Sequence, residues 1–187
     1  MESKTVYFET TGGANTEAVL DIARKRAREL GIKNIVVASS RGDTAVRAMD
    51  VLKGFRVIVV THVTGFRGPN TQEFTEENRQ IVEGKGGIIL TAAHAFGGLS
   101  RAMRSKHNMY VLGDIVADTL RIFGEGMKVA CEITLMAADS GLINTGEDVI
   151  SVAGTSQGAD TALVLRPVNT HEFFDLKVRE ILCKPRL

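Results

Sequence analysis

Five short apolar runs, each ending in small polar residues, constrain the fold of this chain more than any other feature. The stretches that contain them span residues 5–16, 34–47, 57–65, 87–94 and 149–161. An unbroken run such as Ile35 to Ala38 is typical of a strand that is covered on both faces. Parallel strands bring their carboxyl ends to one edge of an open α/β sheet, where ligands bind. The pattern therefore predicts a mostly parallel sheet with five polar strand ends facing one crevice.

Helical periodicity fills the intervals between these runs. The spacing predicts helices over residues 15–30, 44–52, 75–83, 100–103, 110–123 and 128–142. Thr16 is the expected N-cap of the first helix, and Gly31 is its expected C-cap. The most apolar helix, 128–142, forms either core or a dimer face, and core is favoured.

The remaining segments are a loop and two further strands. Residues 65–71 carry two glycines and a proline, which predicts a loop that is either a lid or a surface excursion. A sixth strand over 161–166 follows the fifth after a turn too short for a crossover, so we expect these two strands to be antiparallel. Residues 176–183 are expected to form a final edge strand or a tail.

Length and composition fit a single globular domain over residues 1–187. Hydrophobic residues make up 44% of the chain and charged residues 24%. The net charge of +1 favours neither nucleic acid nor an anionic membrane as a partner, so any bound anion needs a local site. No apolar run approaches the roughly 20 residues of a membrane span, and no signal peptide is visible. Cys131 and Cys183 lack metal-type spacing, which predicts a reduced, cytoplasmic protein.

The strongest candidate binding site is the loop of residues 39–44. It begins with Ser39, Ser40, Arg41 and Gly42. Asp43 or Thr44 can cap the next helix and leave its first N–H groups pointing toward the loop. Free N–H groups, a positive helix end and an arginine together favour phosphate binding. The alternative is an ordinary strand-to-helix turn with solvated polar residues.

A second polar turn follows the first predicted strand and is a candidate phosphate or ribityl-binding turn. It contains Thr10, Thr11, Gly12, Gly13, Asn15 and Thr16. The same turn supports a nicotinamide site only weakly, because the third glycine of that fingerprint is missing. The acidic residue expected at the end of the second strand is also absent, since Ser39 and Ser40 stand there.

Two histidines, His62 and His94, follow neighbouring predicted strands. They either contact a ligand ring or act as acid or base, or they pack at the sheet edge with satisfied hydrogen bonds. The second interpretation is favoured, because no nucleophile, base and orienting group can be recognised together in the sequence. No third ligand has a spacing that suggests a metal site. For Asp160, capping a turn is favoured over orienting a ring nitrogen.

Two stretches of the chain resemble a known domain. Residues 37–45 look like a strand, loop and helix start of the C-terminal domain of pyruvate kinase, and residues 141–162 look like its closing motif. The resemblance spans nearly the whole chain. The chain also resembles a group of stand-alone, mainly archaeal proteins that have this domain and lack the kinase barrel. The resemblance implies a three-layer α/β/α sandwich whose mostly parallel sheet contains one antiparallel strand. It also suggests flavin mononucleotide (FMN) at the strand ends.

The resemblance does not extend to kinase activity. The catalytic residues of pyruvate kinase lie in its barrel, to which nothing in this sequence corresponds. Its sugar-bisphosphate effector is held by a hydroxyl-rich loop that the 39–44 loop matches in residue type. Arg41 and Gly42 stand in swapped order here, which leaves phosphate binding as the expectation rather than that effector.

Two functional hypotheses follow. The first is an FMN-binding protein of unspecified reaction, in which the flavin ring lies against the strands ending at Thr61, Thr91 and Gly154. The second is a non-catalytic sensor of a phosphorylated metabolite, acting on a partner or as a homo-oligomer. The residues predicted to bind the cofactor are Thr10, Gly12, Gly13, Asn15, Thr16, Ser39, Ser40, Arg41, Gly42, Thr44, Thr61, His62, Thr91, Gly154, Thr155, Gly158 and Asp160.

Overall fold

The computed structural model describes residues 2–186, which build one seven-stranded sheet. The strands are β1 (Val6–Phe8), β2 (Asn34–Ala38), β3 (Arg56–Val60), β4 (Ile88–Leu90), β5 (Val149–Ala153), β6 (Thr161–Arg166) and β7 (Lys177–Pro185). Their order across the sheet is β1-β7-β6-β5-β2-β3-β4. β6 is antiparallel to both of its neighbours, and every other pair is parallel. The structure thus confirms a mostly parallel sheet with one antiparallel strand.

Within residues 2–186, six α-helices are arranged on the two sides of the sheet. They are α1 (Thr16–Leu30), α2 (Asp43–Val51), α3 (Glu76–Gly84), α4 (Gly98–His107), α5 (Leu112–Arg121) and α6 (Glu125–Asp139). One face packs against α1, α2 and α3, with Val19, Ala48 and Val82 in the shared core. The other face packs against α6, and α5 and α4 follow outward from it. The expected three-layer α/β/α sandwich is therefore confirmed.

Helix α6 belongs to the core. Its apolar side chains, including Ile133, Leu135 and Met136, are buried against the sheet. This confirms the core interpretation of the 128–142 prediction, although the helix begins three residues earlier and ends three residues earlier. No helix within residues 2–186 has both the length and the apolar character needed to cross a bilayer.

The expectation of a final edge strand or tail was wrong. β7 lies inside the sheet, between β1 and β6, and its Leu182 and Cys183 are buried. The edge is taken instead by the three-residue strand β1, where Val6 pairs in register with Cys183. The exposed charged residues at the start of β7 are typical of an edge strand. The end of β7 is interior only because it pairs with β1, which is distant in sequence.

Candidate functional site

The parallel strands bring the predicted binding residues to one border of the sheet, here called the carboxyl edge. Along this edge the loop after β1 comes first, followed by the β5–β6 turn and then the ends of β2, β3 and β4. The predicted residues fall into three neighbouring groups. The first joins the β1 loop to the β5–β6 turn, the second is the 39–44 loop, and the third lies at the ends of β3 and β4.

The first group is held together by Asp160. This carboxylate is fully buried. It accepts hydrogen bonds from the Gly12 N–H at 2.8 Å, the Thr155 N–H at 3.0 Å and the Thr161 hydroxyl at 2.7 Å. Asp160 therefore acts as a turn cap, as the sequence favoured, and it also fixes the β1 loop onto the β5–β6 turn.

The rest of this group also makes internal contacts. The expected N-cap Thr16 is instead the first residue of α1, and Asn15 occupies the N-cap position. The Thr16 hydroxyl does not cap the helix; it accepts the Ala159 N–H of the β5–β6 turn at 3.0 Å. The Asn15 amide donates to the Thr10 carbonyl at 2.7 Å. A Cβ on Gly158 would lie 2.3 Å from the Gly13 Cα, so the two loops touch through glycines. Gly154 begins the same turn.

The second group, the 39–44 loop, contains five backbone donors that have no acceptor within residues 2–186. Among residues 2–186, no protein acceptor lies within hydrogen-bond geometry of the N–H groups of Ser40, Arg41, Gly42, Asp43 and Thr44. All five precede or open α2, where the helix dipole is positive. The Arg41 side chain is exposed beside them. Together they form an array of donors suited to an anion.

The loop is shaped by contacts on its other side. The expected N-cap, Asp43 or Thr44, was wrong: Gly42 occupies that position, and the buried Ser39 hydroxyl accepts the Ala45 N–H at 3.3 Å. The Arg41 carbonyl accepts hydrogen bonds from the Asn78 amide at 3.0 Å and the Thr75 N–H at 3.2 Å. The start of α3 therefore holds the loop in place.

The third group centres on the two histidines. The Thr91 hydroxyl lies 2.7 Å from the Thr61 hydroxyl, which itself lies 2.9 Å from the His62 carbonyl and donates to it. His94 Nε2 accepts the Val63 N–H at 3.3 Å. His62 Nε2 lies 3.2 Å from Ser40 Oγ, and His62 Nδ1 lies 2.6 Å from Glu73 Oε2. Both histidines thus have hydrogen-bond partners, and His62 connects this group to the 39–44 loop.

Glu73 is a site residue that the sequence did not reveal. It lies in the long segment between β3 and α3, where Arg67 Nε approaches its Oε1 at 3.3 Å. Burial alone would raise the pKa of the Glu73 carboxyl, but the hydrogen bonds from His62 and Arg67 hold it below its usual value. One sequence signal could have identified Glu73: it is an acidic residue in the long loop that follows the strand end bearing His62.

A pocket of about 260 Å³ opens beside the histidines. Phe66 stacks on His62 with ring centroids 4.1 Å apart, and the Arg101 guanidinium lies 4.3 Å from the Phe66 centroid. The pocket is lined by Val63, Thr64, Gly65, Phe66, Ala93, His94, Gly97, Gly98 and Arg101. The sequence pointed to neither Phe66 nor Arg101.

A buried ion pair supports the wall of this pocket. Glu132 accepts the N–H groups of Phe96 at 2.9 Å and Gly97 at 3.2 Å, and it pairs with Lys128. Burial alone would raise the pKa of Glu132, yet Lys128 and the Phe96 N–H keep it below its usual value. The carboxylate therefore stays ionised and fixes the loop before α4.

We expect the pKa of His94 to lie below that of an ordinary histidine. Burial is the main cause; the nearby Glu132 charge opposes it, and His62 adds to it. Because folding lowers this pKa, the stability that neutral His94 contributes to the folded protein is fully present above the pKa of the unfolded state, about 6.5. This stability is lost as the pH falls from there through the folded-state value. NMR titration of the His94 ring, assigned with a His94→Gln variant, measures this midpoint, and a midpoint at or above 6.5 would contradict the prediction.

One family model matches most of the chain. The family model described as pyruvate kinase, alpha/beta domain, matches residues 17–165. The chain is also similar to a pyruvate kinase structure from Cryptosporidium parvum at 14% identity and a TM-score of 0.43, covering 82% of this chain and 23% of the enzyme. A structure of Cryptosporidium parvum pyruvate kinase in complex with ADP matches at 17% identity and a TM-score of 0.39, covering 80% and 22%. The chain thus spans less than a quarter of the length of these enzymes. By the family match, it belongs to the pyruvate kinase alpha/beta domain family.

Proposed function

We propose that this member of the pyruvate kinase alpha/beta domain family binds flavin mononucleotide at the carboxyl edge. The observation that carries the proposal is the run of five N–H groups, from Ser40 to Thr44, that have no acceptor within residues 2–186. In this proposal they hold the FMN phosphate. The Arg41 guanidinium adds a charged donor with the planar geometry that suits phosphate oxygens.

The surroundings of this loop support a ligand larger than phosphate. The Ser40 and Thr91 hydroxyls lie at the ends of β2 and β4 and can bond ribityl oxygens. Thr61 lies between them but is buried, and its hydroxyl already bonds to the His62 carbonyl and the Thr91 hydroxyl. His62 and Phe66 offer a stacked aromatic surface for a flat ring. FMN is favoured among phosphate ligands because the family resemblance of residues 37–45 and 141–162 suggests it. Bound flavin would supply electron-transfer chemistry, and no substrate is proposed.

Two variants of equal charge change test the proposal. Wild-type protein, Arg41→Ala and Arg28→Ala are incubated with FMN and passed through gel filtration, and the flavin absorbance of the protein peak is recorded. Arg28 is the matched control, because it is exposed in the last turn of α1, whereas the first turn of that helix lies at the carboxyl edge. We expect flavin retention by the wild type and Arg28→Ala, and roughly tenfold weaker binding in Arg41→Ala, the loss expected for one charge-assisted hydrogen bond.

A second ligand locates the phosphate. Riboflavin has the same ring but no phosphate, so we expect it to bind more weakly than FMN to the wild type and equally to both variants. If wild-type protein retains no flavin, the proposal fails. A rise in melting temperature with sugar phosphates, in the absence of flavin binding, would then favour the metabolite-sensor hypothesis.

A further inference from the structure

Three side chains at the carboxyl edge form a continuous hydrogen-bonded chain. Ser40 Oγ lies 3.2 Å from His62 Nε2, and His62 Nδ1 lies 2.6 Å from Glu73 Oε2. The three residues come from separate segments, at the end of β2, the end of β3 and the loop before α3. This is the order of nucleophile, base and orienting carboxylate found in serine hydrolases, which is recognised by geometry rather than by sequence position.

We infer that Ser40, His62 and Glu73 form a hydrolytic centre in which Ser40 attacks carboxylic esters of small acids. The Glu73 carboxylate accepts a hydrogen bond from the His62 Nδ1–H, which fixes the tautomer and leaves the Nε2 lone pair facing Ser40. The hydrogen bonds from His62 and Arg67 keep the Glu73 carboxylate ionised, as its lowered pKa indicates. Ser40 and His62 are the catalytic residues, and Glu73 is a positioning residue.

The backbone around Ser40 suits a nucleophile. Ser40 stands on a strand-to-helix turn between β2 and α2, with Ala38 two residues before it and Gly42 two residues after. Small residues at these two positions also flank the nucleophilic serine of the Gly-x-Ser-x-Gly turn. The Arg41 and Gly42 N–H groups directly follow Ser40 and bond to no acceptor in the described chain. They can stabilise an oxyanion that forms beside Ser40.

The neighbouring pocket sets the size of the substrate. Phe66 stacks on His62 and is also one of the residues that line the pocket, so the pocket lies next to the catalytic residues without including them. A volume of about 260 Å³ fits only a small group, which is the reason for proposing esters of small acids.

The proposed reaction is balanced by residues of this chain and water. Ser40 Oγ bonds to the ester carbonyl carbon while its proton passes to His62 Nε2. The tetrahedral intermediate collapses, the ester C–O bond breaks, and the leaving alcohol takes the proton from His62. Water then attacks the acyl-Ser40 ester and gives a proton to His62. The acid leaves as the Ser40–acyl bond breaks, and Ser40 regains its proton from His62.

Labelling and hydrolysis with flavin-free protein test this inference. The probes are a fluorophosphonate, read by intact-mass and peptide mass spectrometry, and p-nitrophenyl acetate. We expect a single adduct on Ser40, and we expect Ser40→Ala and His62→Gln to lose both labelling and hydrolysis. Ser105→Ala and His171→Gln change exposed residues of the same types and are expected to leave both unchanged. Circular dichroism verifies that every variant is folded.

The test of Glu73 requires a measurement that distinguishes a role in positioning His62 from a role in folding. We expect Glu73→Gln to lower kcat by about 100-fold or more with KM retained, since the loss of an orienting carboxylate leaves geometry intact but disfavours the working tautomer. Glu73→Asp keeps the charge and is expected to recover part of kcat. An unlabelled Ser40 in the wild type, or hydrolysis that survives Ser40→Ala, would overturn the inference.

This inference goes beyond flavin binding, and the two can fail separately. An oxyanion and the FMN phosphate would use some of the same N–H groups, so excess FMN is expected to slow labelling of Ser40. Labelling without any flavin retention supports the inference and counts only against the proposed function. Flavin retention with an unreactive Ser40 in flavin-free protein overturns the inference and leaves the proposed function standing.

Discussion

Replacing Asp160 by alanine is expected to lower the free energy of unfolding by about 3 kcal/mol, because two backbone donors and one hydroxyl lose their acceptor together. The Asp160 carboxylate is fully buried and accepts the N–H groups of Gly12 and Thr155 and the hydroxyl of Thr161. Each buried donor left without a partner costs about 1–3 kcal/mol. The Thr161 hydroxyl can rotate toward another acceptor, whereas the two backbone N–H groups are fixed by their loops.

Urea unfolding of Asp160→Ala, Asp160→Asn and Asp175→Ala measures this effect. The asparagine keeps one acceptor oxygen, so we expect an intermediate loss. Asp175 has a side chain that is 81% exposed, and its replacement is expected to change stability by less than about 0.5 kcal/mol. An Asp160→Ala midpoint equal to that of Asp175→Ala would contradict this account of the β5–β6 turn.

Much of the fold could be predicted because local patterns and the final structure agree. The unbroken apolar runs of β2 and β3 have the character of buried parallel strands, and both lie inside the sheet. The short connection between β5 and β6 required an antiparallel pair, which the structure contains. The position of β7 could not be predicted, since it depends on pairing with β1 across almost the whole chain.

In the candidate site, too, the features that depend on local sequence could be predicted and those that depend on distant contacts could not. The N–H groups of residues 40–44, which have no acceptor in the described part of the chain, follow from a local strand, loop and helix start that can be recognised in the sequence. The contact between His62 and Glu73 depends on how the long loop after β3 returns to the sheet. The predicted C-cap Gly31 is confirmed, but both N-cap predictions were wrong because the structure uses other groups. The Thr16 hydroxyl accepts the Ala159 N–H of a distant turn, and α2 has Gly42 as its N-cap while the Ser39 hydroxyl accepts the Ala45 N–H.

The Gly42→Ala substitution is expected to disrupt the 39–44 loop, although it adds only one methyl group. Gly42 has a φ of 108°, which disfavours any residue with a Cβ, and a Cβ there would lie 2.4 Å from the Asn78 Cβ. Because Asn78 also holds the Arg41 carbonyl, the loop can relieve this clash only by moving away from α3. We expect a loss of about 2–4 kcal/mol in unfolding free energy, from the backbone penalty and the overpacking together.

Gly54→Ala separates the two causes of that loss. Gly54 has a φ of 90°, but a Cβ there would have no neighbour within 4 Å. We expect this control to show only the backbone penalty of about 1–2 kcal/mol and to leave the donor array of the 39–44 loop unchanged. In Gly42→Ala, by contrast, displacement of the N–H groups of residues 40–44 should weaken FMN retention and fluorophosphonate labelling of Ser40 together, since both depend on the same donors. Equal stability losses in the two variants, with labelling of Ser40 retained, would show that the contact with Asn78 does not set the shape of the loop.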